Sequence, residues 1–387
     1  MAKKFVLEKA PFIRRVDNGK VTTNQIMNDV KIALIPLIIF AWIKNGLLPF
    51  ISGSSTFFQM LYPLLFVICG GLFSIILEGG YICLFKYYFP NKYATVKKEF
   101  KIKNIITDVR NSHGIITGLL LAMILPLNTP IYILLFGCFM GNIVFKMLYG
   151  GLGHNVFNPA LIAYAIIVLA FWGVISSNGG INNSLEITTS ASPLINFKSL
   201  DEITYNNLIA PYGNLWSFVF GFIPGAIAET SSILIIVAFI YLVIRRVISW
   251  IVPVFYVGTV LIVSLIIMMI NGYGLWYPAF QLLSGGLLFG AVFMATEPVT
   301  TPKSPNGKAI FGVGIGLFTL LFRFYGTLPG GVGTSILFVS LFTPIIDRFS
   351  AKLRMHRTNY RSLSGYLLVL FIYVVIAAYI IIRAIEG

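Results

Sequence analysis

Residues 118–130, GLLLAMILPLNTP, and residues 290–302, GAVFMATEPVTTP, are one apolar, proline-punctuated phrase written twice. Gly118 aligns with Gly290, Pro126 with Pro298 and Pro130 with Pro302. After a short insertion, Gly137, Phe145 and Lys146 align with Gly314, Phe322 and Arg323. Apolar runs recur around both copies. A membrane-crossing helix needs roughly 20 apolar residues, and candidate runs lie at 32–51, 57–85, 114–127, 129–148, 160–176, 216–244, 251–270, 278–296, 309–326, 331–346 and 363–383. The copies are then spans three and four against eight and nine. An offset of five spans is odd, so the second copy runs in the opposite direction. The sequence predicts an all-α integral membrane protein of about ten core spans in a five-plus-five inverted repeat with broken helices, plus an extra C-terminal helix. Such repeats place sites near the midplane, where broken helices meet.

Composition supports this reading. The 387 residues are 57% hydrophobic and only 11% charged, whereas about a quarter of a soluble domain is charged. The net charge of +15 does not indicate nucleic acid, because the basic residues sit in short segments between apolar runs. With the amino terminus inside, segments 1–31, 86–113, 245–250, 297–308 and 347–362 hold seven, six, two, two and five Lys or Arg, with Lys86 left to its helix. That is 22 of the 28 in the chain. The 177–215 loop holds Lys198 against Glu186, Asp201 and Glu202, so the positive-inside rule turns it outward. The chain divides into a cytoplasmic 1–31, a first repeat 32–176, the outward loop 177–215, a second repeat 216–346, and a basic segment with C-terminal helix, 347–387. The first 30 residues are too long and too mixed in charge for a cleaved signal peptide. Cys69, Cys83 and Cys138 lie in apolar runs without metal-type spacing, and His154 has no accompanying His or Cys, so no metal site is expected.

Several segments could carry chemistry. The outward loop contains Glu186-Ile187-Thr188-Thr189-Ser190-Ala191-Ser192-Pro193-Leu194, four clustered hydroxyls before a proline that biases Ser192 away from helix. Read on its residues alone, it is an ordinary polar loop. In Gly150–Ala160 the glycines and Pro159 break a helix, and Asn155 and Asn158 can satisfy freed backbone groups or bond a ligand. In Thr296–Lys308, prolines, hydroxyls including Thr300, and Lys303 make a polar turn. It could hold a cofactor's polar groups or anchor the loop at lipid headgroups. Ionisable residues within membranes are costly. Glu78, Glu229, Glu297, Lys146 and Arg323 lie within or at the ends of apolar runs. Glu229 and Glu297 are ion-pathway candidates, with helix capping or ion pairing as the alternative. The equivalent places of Lys146 and Arg323 in the repeat indicate a scaffold duty.

The chain resembles the D subunits of Rnf-type ferredoxin:NAD oxidoreductases, a family shared with the B subunit of the sodium-pumping NADH:quinone reductase. The resemblance rests on APFIRRVDNGKVTTNQIMNDVKIAL (10–34), GGLGHNVFNPALIAYA (150–165), GFIPGAIAETS (221–231), TEPVTTPKSPNGK (296–308) and GTLPGGVGTS with PIID (326–347), in family order. The outward loop is similar to the family's flavinylation motif. The resemblance puts Glu186 at its acidic place, Ser190 and Ala191 at its small pair, and Ser192 at the acceptor, with Thr189 in reserve. Glu stands here for Asp, and Ser for the usual Gly and acceptor Thr. The resemblance implies FMN joined by a phosphoester to Ser192 by a flavin transferase, and a second, non-covalent flavin (riboflavin or FMN). It further implies iron–sulfur membrane subunits, a second covalent flavoprotein subunit and an NAD-binding subunit as partners, export of Na⁺ or H⁺, and residence in the cell inner membrane. Neither a nucleotide-binding glycine pattern nor a cysteine cluster is present, so NAD and ferredoxin fall to partners. About 30 residues precede the first span, fewer than in the quinone-reductase subunit, which favours the Rnf type. A solute channel or transporter with an inverted repeat is the rival from another class, and would have no use for a flavin acceptor.

Overall fold

The computed structural model describes residues 23–88, 102–177, 193–194, 197, 203–223, 225–227, 231–326, 331–354 and 360–386, all helix or connection with no strand among them. Helices dominate because lipid offers no partner for a backbone N–H or C=O, so each span must satisfy its own. The first repeat contains α1 (Thr23–Ile51), α2 (Phe57–Phe85), α3 (Ile102–Ser112), α4 (Gly114–Ile124), α5 (Ile131–Met147) and α6 (Pro159–Ser177). The second contains α7 (Leu215–Phe220), α8 (Ser232–Ile244), α9 (Ile251–Asn271), α10 (Trp276–Leu283), α11 (Leu287–Met294), α12 (Pro305–Tyr325), α13 (Val332–Ser340) and α14 (Thr343–Arg354). Helix α15 (Tyr360–Glu386) follows.

Among the described residues, five helices are long and apolar enough to cross a membrane, or seven if each bent pair is one span, with four shorter apolar helices beside them; the broken spans are where the structure departs from the apolar runs. The expected span at 216–244 is two helices, α7 and α8, separated by irregular backbone. The expected 278–296 is α10 and α11 bent by 55°, and 331–346 is α13 and α14, also bent by 55°. The third span is α4, only 11 residues long, preceded by the amphipathic α3. The first span starts at Thr23, earlier than the apolar run suggests, because Asn24 and Asp29 take partners in the fold.

Both repeats pack through glycine, at different helix pairs. In the first, α2 and α4 approach through glycine: a Cβ on Gly118 would run into the carbonyl of Gly70 and the hydroxyl of Ser74. In the second, Gly312 and Gly316 of α12 sit against Val252, Tyr256 and Thr259 of α9. Close backbone approach through small residues is how membrane helices gain contact where water gives no hydrophobic drive. Between repeats, α1 packs on α8 and α6 on α13, each against its own counterpart, as a two-fold relation requires. The α1–α8 contact is tied by Asp29, which accepts hydrogen bonds from Arg245 (3.2 and 3.3 Å) and Tyr241 (3.1 Å).

The deepest similarity lies at the breaks. Ser112-His113-Gly114 stands to Ser284-Gly285-Gly286 as Gly118 stands to Gly290, and both turn at a left-handed residue, His113 at φ 52° and Gly285 at φ 68°. Each break exposes a serine carbonyl that no longer has a helical donor. Lys146 Nζ donates to Ser112 O at 2.8 Å, and Arg323 Nη2 donates to Ser284 O at 2.8 Å. Both cations are buried, at 3% and 0% exposure. A third break, between α7 and α8, is met in the same way: Lys44 of α1 donates to Ile223 O, and Asn45 donates to Ile227 O at 3.3 Å. Lys146 also pairs with Glu78 at 2.7 Å, and Glu78 accepts from the Ser112 hydroxyl.

Removing one partner of a buried ion pair typically costs about 3–5 kcal/mol, because the other charge is left stranded. Lys146→Ala should therefore sharply lower both the yield of folded protein and its denaturation temperature in detergent. Lys146→Met combined with Glu78→Gln should recover much of the loss. Equal loss in the single and double variants would show that the pair does not hold α2, α4 and α5 together by charge.

Candidate functional site

Two cavities lie at opposite ends of the bundle. The first is at the end carrying Arg110, Arg245 and Lys303, called here the basic end. It is walled by the start of α1, α4, the 152–160 loop, the end of α8 and residues 292–298, so both repeats contribute. Its polar groups are His113, Thr117, Lys146, Asn155, Asn158, Thr296 and Glu297.

Glu297 is the centre of this group. It stands just past the last helical residue of α11, where the chain turns through Pro298. Asn155 donates to Oε1 at 2.7 Å and Thr300 donates to Oε2 at 3.1 Å. Burial raises its pKa to about 7, against the opposing pull of those two hydrogen bonds and of Lys146. Across the cavity, His113 donates to Asn24 Oδ1 at 2.8 Å. Burial, and then the charges of Lys31, Lys146 and Arg110, lower its pKa to about 4. A carboxyl poised near neutrality thus faces a neutral imidazole.

The residues anticipated from sequence divide among different duties. Asn158 caps α6, its Oδ1 accepting from the N–H of Ala160 (3.1 Å) and Leu161 (3.4 Å), while Nδ2 donates to Met294 O at 3.3 Å and ties the repeats. Asn155 and Thr300 both serve Glu297. Lys303 is exposed and away from the cavity; its backbone N–H donates to Asp347 at 2.8 Å. Ser192, Thr189 and Glu229 lie outside the described residues. Three residues with clear roles were not anticipated: His113, Gln281 and Lys44. A lysine inside the first apolar run was the available signal for Lys44. For His113 and Gln281 it was the extension of the repeat back to Ser112 and Ser284. No group of three or more metal-binding side chains occurs among the described residues. The basic-end cavity encloses about 100 Å³, below the roughly 300 Å³ at which small-molecule pockets begin. A second flavin there would have to displace the side chains that close it.

The second cavity, at the far end, encloses about 430 Å³ and lies among the ends of α9, α12 and α15, the start of α10, and residues Phe197 and Ile203. Pro193, Leu194 and Phe197, which follow Ser192 in the chain, are buried. Leu194 rests on Gly285 so closely that a Cβ there would overlap it, and Phe197 stacks with Phe280 and Phe324 at 6.0 and 5.6 Å.

The fold and these sites define a multi-pass helical membrane protein in which helices from both halves of the chain wall one cavity, and helices of the second half with α15 wall another. The chain belongs to the NQR2, RnfD, RnfE family, whose sequence profile matches residues 6–356; α15 lies beyond the match. It is 35% identical over 260 residues to the D subunit of the proton-translocating ferredoxin:NAD(+) oxidoreductase complex of Clostridium ljungdahlii, covering 65% of this chain and 76% of that one. It is 33% identical over 249 residues to the D subunit of the Na(+)-translocating ferredoxin:NAD(+) oxidoreductase complex of Acetobacterium woodii, covering 64% and 74%. It is also 32% identical over 270 residues to the B subunit of the Na(+)-translocating NADH-quinone reductase of Chromohalobacter salexigens, covering 65% and 63%.

In the folded chain, Glu297 holds its proton to higher pH than in the unfolded chain, so between about pH 4.5 and 7 the native state binds more protons. Stability then falls as pH rises through that window. Wild-type protein in detergent should lose denaturation temperature across it, and Glu297→Gln should not show this component. Infrared difference spectra should show a protonated carboxyl band titrating near neutrality, absent in the variant. A band titrating in the ordinary carboxylate range would contradict the burial.

Proposed function

We propose that the chain is the D-type membrane subunit of an Rnf complex, carrying FMN joined by a phosphoester to Ser192 and working in ion-coupled electron transfer between ferredoxin and NAD. The observation that supports this best is the seat of the acceptor segment. Leu194, two residues after Ser192, is buried in the Ser284–Gly286 break, beside the buried Arg323. A loop of no function would have no need to be anchored in a membrane-embedded break. The likeness of the Glu186–Leu194 loop to the flavinylation motif supports the flavin, and the far-end cavity, at about 430 Å³, is within the size range of ligand pockets. When bound, the isoalloxazine carries electrons, while the protein fixes its position and surroundings.

In this reading the amino terminus and the basic end face the cytoplasm, and Ser192 faces outward, where a flavin transferase reaches it. Iron–sulfur subunits, a second flavoprotein subunit and an NAD-binding subunit complete the electron path. Glu297 serves the ion pathway: its carboxyl, held by Asn155 and Thr300 at the cavity that both repeats wall, can take up a proton or face a sodium ion. Relatives named for each coupling ion occur, so the family does not choose between them. The B subunit of a sodium-pumping NADH:quinone reductase is the second reading. The Rnf reading is favoured because this chain covers 76% of the Clostridium subunit and 63% of the Chromohalobacter one.

The test is the mass of the loop peptide from cells with an active flavin transferase. We expect an FMN adduct on Ser192, lost in Ser192→Ala and kept in Thr189→Ala. An adduct that persists in Ser192→Ala but disappears in Thr189→Ala moves the attachment to Thr189, and an unmodified peptide overturns the flavin assignment.

A further inference from the structure

No residue of helix α3 is fully buried, and the helix carries charge that no described group answers. It leans on α2 through Val109, whose Cγ2 lies 3.5 Å from where a Cβ on Gly79 would stand, and through Ser112, which donates to Glu78. It is tied to α1 at Asn24, whose Nδ2 donates to Asn111 Oδ1 at 3.3 Å and whose Oδ1 accepts from His113. At about 100° per residue, Ile102 and Ile106 follow Val109 around the helix axis, and Arg110 and Lys103 come next. All four are exposed, the isoleucines at 72% and 61%. Asp108, the acid of this helix, lies on the opposite face from Arg110. The neighbouring helices keep an apolar surface here: Leu84 and Phe85 at the end of α2, and Ile32 and Ile35 of α1, are exposed. Because α3 runs directly into the Ser112–Gly114 break, it lies along the membrane boundary and not out in water.

Lys31 of α1 completes the feature. It stands seven residues after Asn24, two helical turns on, and so on the same face of α1. Lys31 and Arg110 lie within reach of each other's charge, and both act on His113. Neither makes an ion pair among the described residues. Two cations held near each other by a hydrogen-bonded junction repel unless an anion stands between them. Cations beside an apolar stripe at a membrane boundary suit an acidic phospholipid, with phosphate on the cations and acyl chains on the isoleucines. The long Lys and Arg stems can lie along apolar surface while their charges reach the headgroup.

We infer that Lys31, Lys103 and Arg110, with Ile102 and Ile106, form a binding site for an acidic phospholipid at the basic end. The phosphate is held between α1 and α3, and the isoleucines enter the acyl region beside it. The consequence reaches the basic-end cavity. Helix α3 ends at Ser112, whose carbonyl Lys146 caps, and His113 follows in the cavity wall. A lipid that fixes α3 therefore steadies that wall as well. The site stands independently of the flavin reading.

The experiment uses the full-length protein in detergent, with phosphatidylglycerol as the acidic probe and phosphatidylcholine as its neutral counterpart. Native mass spectrometry counts the retained lipid, and titration gives its affinity. We expect the wild type to retain phosphatidylglycerol in preference, and phosphatidylglycerol to raise its denaturation temperature. A cation near an anionic headgroup is worth about a fivefold change in affinity, so Lys31→Gln with Arg110→Gln should weaken phosphatidylglycerol roughly 25-fold. Arg110→Lys alone should keep most of the affinity. Ile102→Ser with Ile106→Ser should also weaken it, whereas Arg246→Gln, at a residue exposed at the same end, should not. Equal retention of the two lipids by the wild type would assign this face to another partner, such as an acidic protein surface, and overturns the site. Binding that survives Lys31→Gln with Arg110→Gln, or that falls as far in Arg246→Gln, marks diffuse attraction and overturns it too. Stabilisation by inorganic phosphate equal to that by phosphatidylglycerol would make the ligand a soluble anion and exclude the lipid.

Discussion

A broken helix inside a membrane leaves carbonyl groups that lipid cannot satisfy, and the architecture of this protein follows from how three such breaks are capped. Lys146, Lys44 and Arg323 are long side chains that bring a buried cation to the carbonyls of Ser112, Ile223 and Ser284. Each cap comes from a different span than the break it serves, so it also clamps two helices. A charge-assisted hydrogen bond in a low dielectric is strong, and an unpaired cation there is very costly. The caps and the breaks therefore stabilise each other only together. Glu78 completes the first cap by pairing with Lys146. Arg323 likewise donates to oxygens of both Gln281 and Ser284.

What the breaks provide is irregular backbone between helices, tolerated in a membrane protein only where protein or a cavity surrounds it. At the basic end, the Ser112–Gly114 break and residues 292–298 face each other across a small polar space centred on Glu297. At the far end, the Ser284–Gly286 break receives Leu194 and with it the segment that follows Ser192. One end offers a titratable carboxyl and the other a ring-sized slot. An ion-coupled electron carrier needs both kinds of place, held in a fixed relation by one rigid frame.

Much of this was legible in the sequence. The Gly118–Pro130 and Gly290–Pro302 phrases gave the inverted repeat, and the matched places of Lys146 and Arg323 pointed to the scaffold duty they perform. Apolar runs located the spans but not their interruptions. Hydropathy averages over Ser284–Gly286, since two glycines break a helix with little effect on the mean. Cation–carbonyl pairs such as Lys44 with Ile223 join residues far apart in sequence and follow no spacing rule. Asn155 and Thr300 were readable as polar residues near a break, but not as the two donors to one carboxylate. Lys303 looked equally suitable, yet its turn carries it to the surface, because a loop's local composition does not fix the direction a long side chain takes.

If the two breaks are antiparallel copies, one opens to each side of the membrane. Lys103 and Leu275 occupy equivalent places before them, related as Gly118 is to Gly290, and both are exposed. In a background with Cys69, Cys83 and Cys138 replaced by serine or alanine, a single cysteine at either position can be probed with a membrane-impermeant thiol reagent on sealed vesicles of known orientation. Lys103→Cys should label only from the cytoplasmic side and Leu275→Cys only from the opposite side. Labelling of both from one side would contradict the inverted repeat, and with it the assignment of the two cavities to opposite faces.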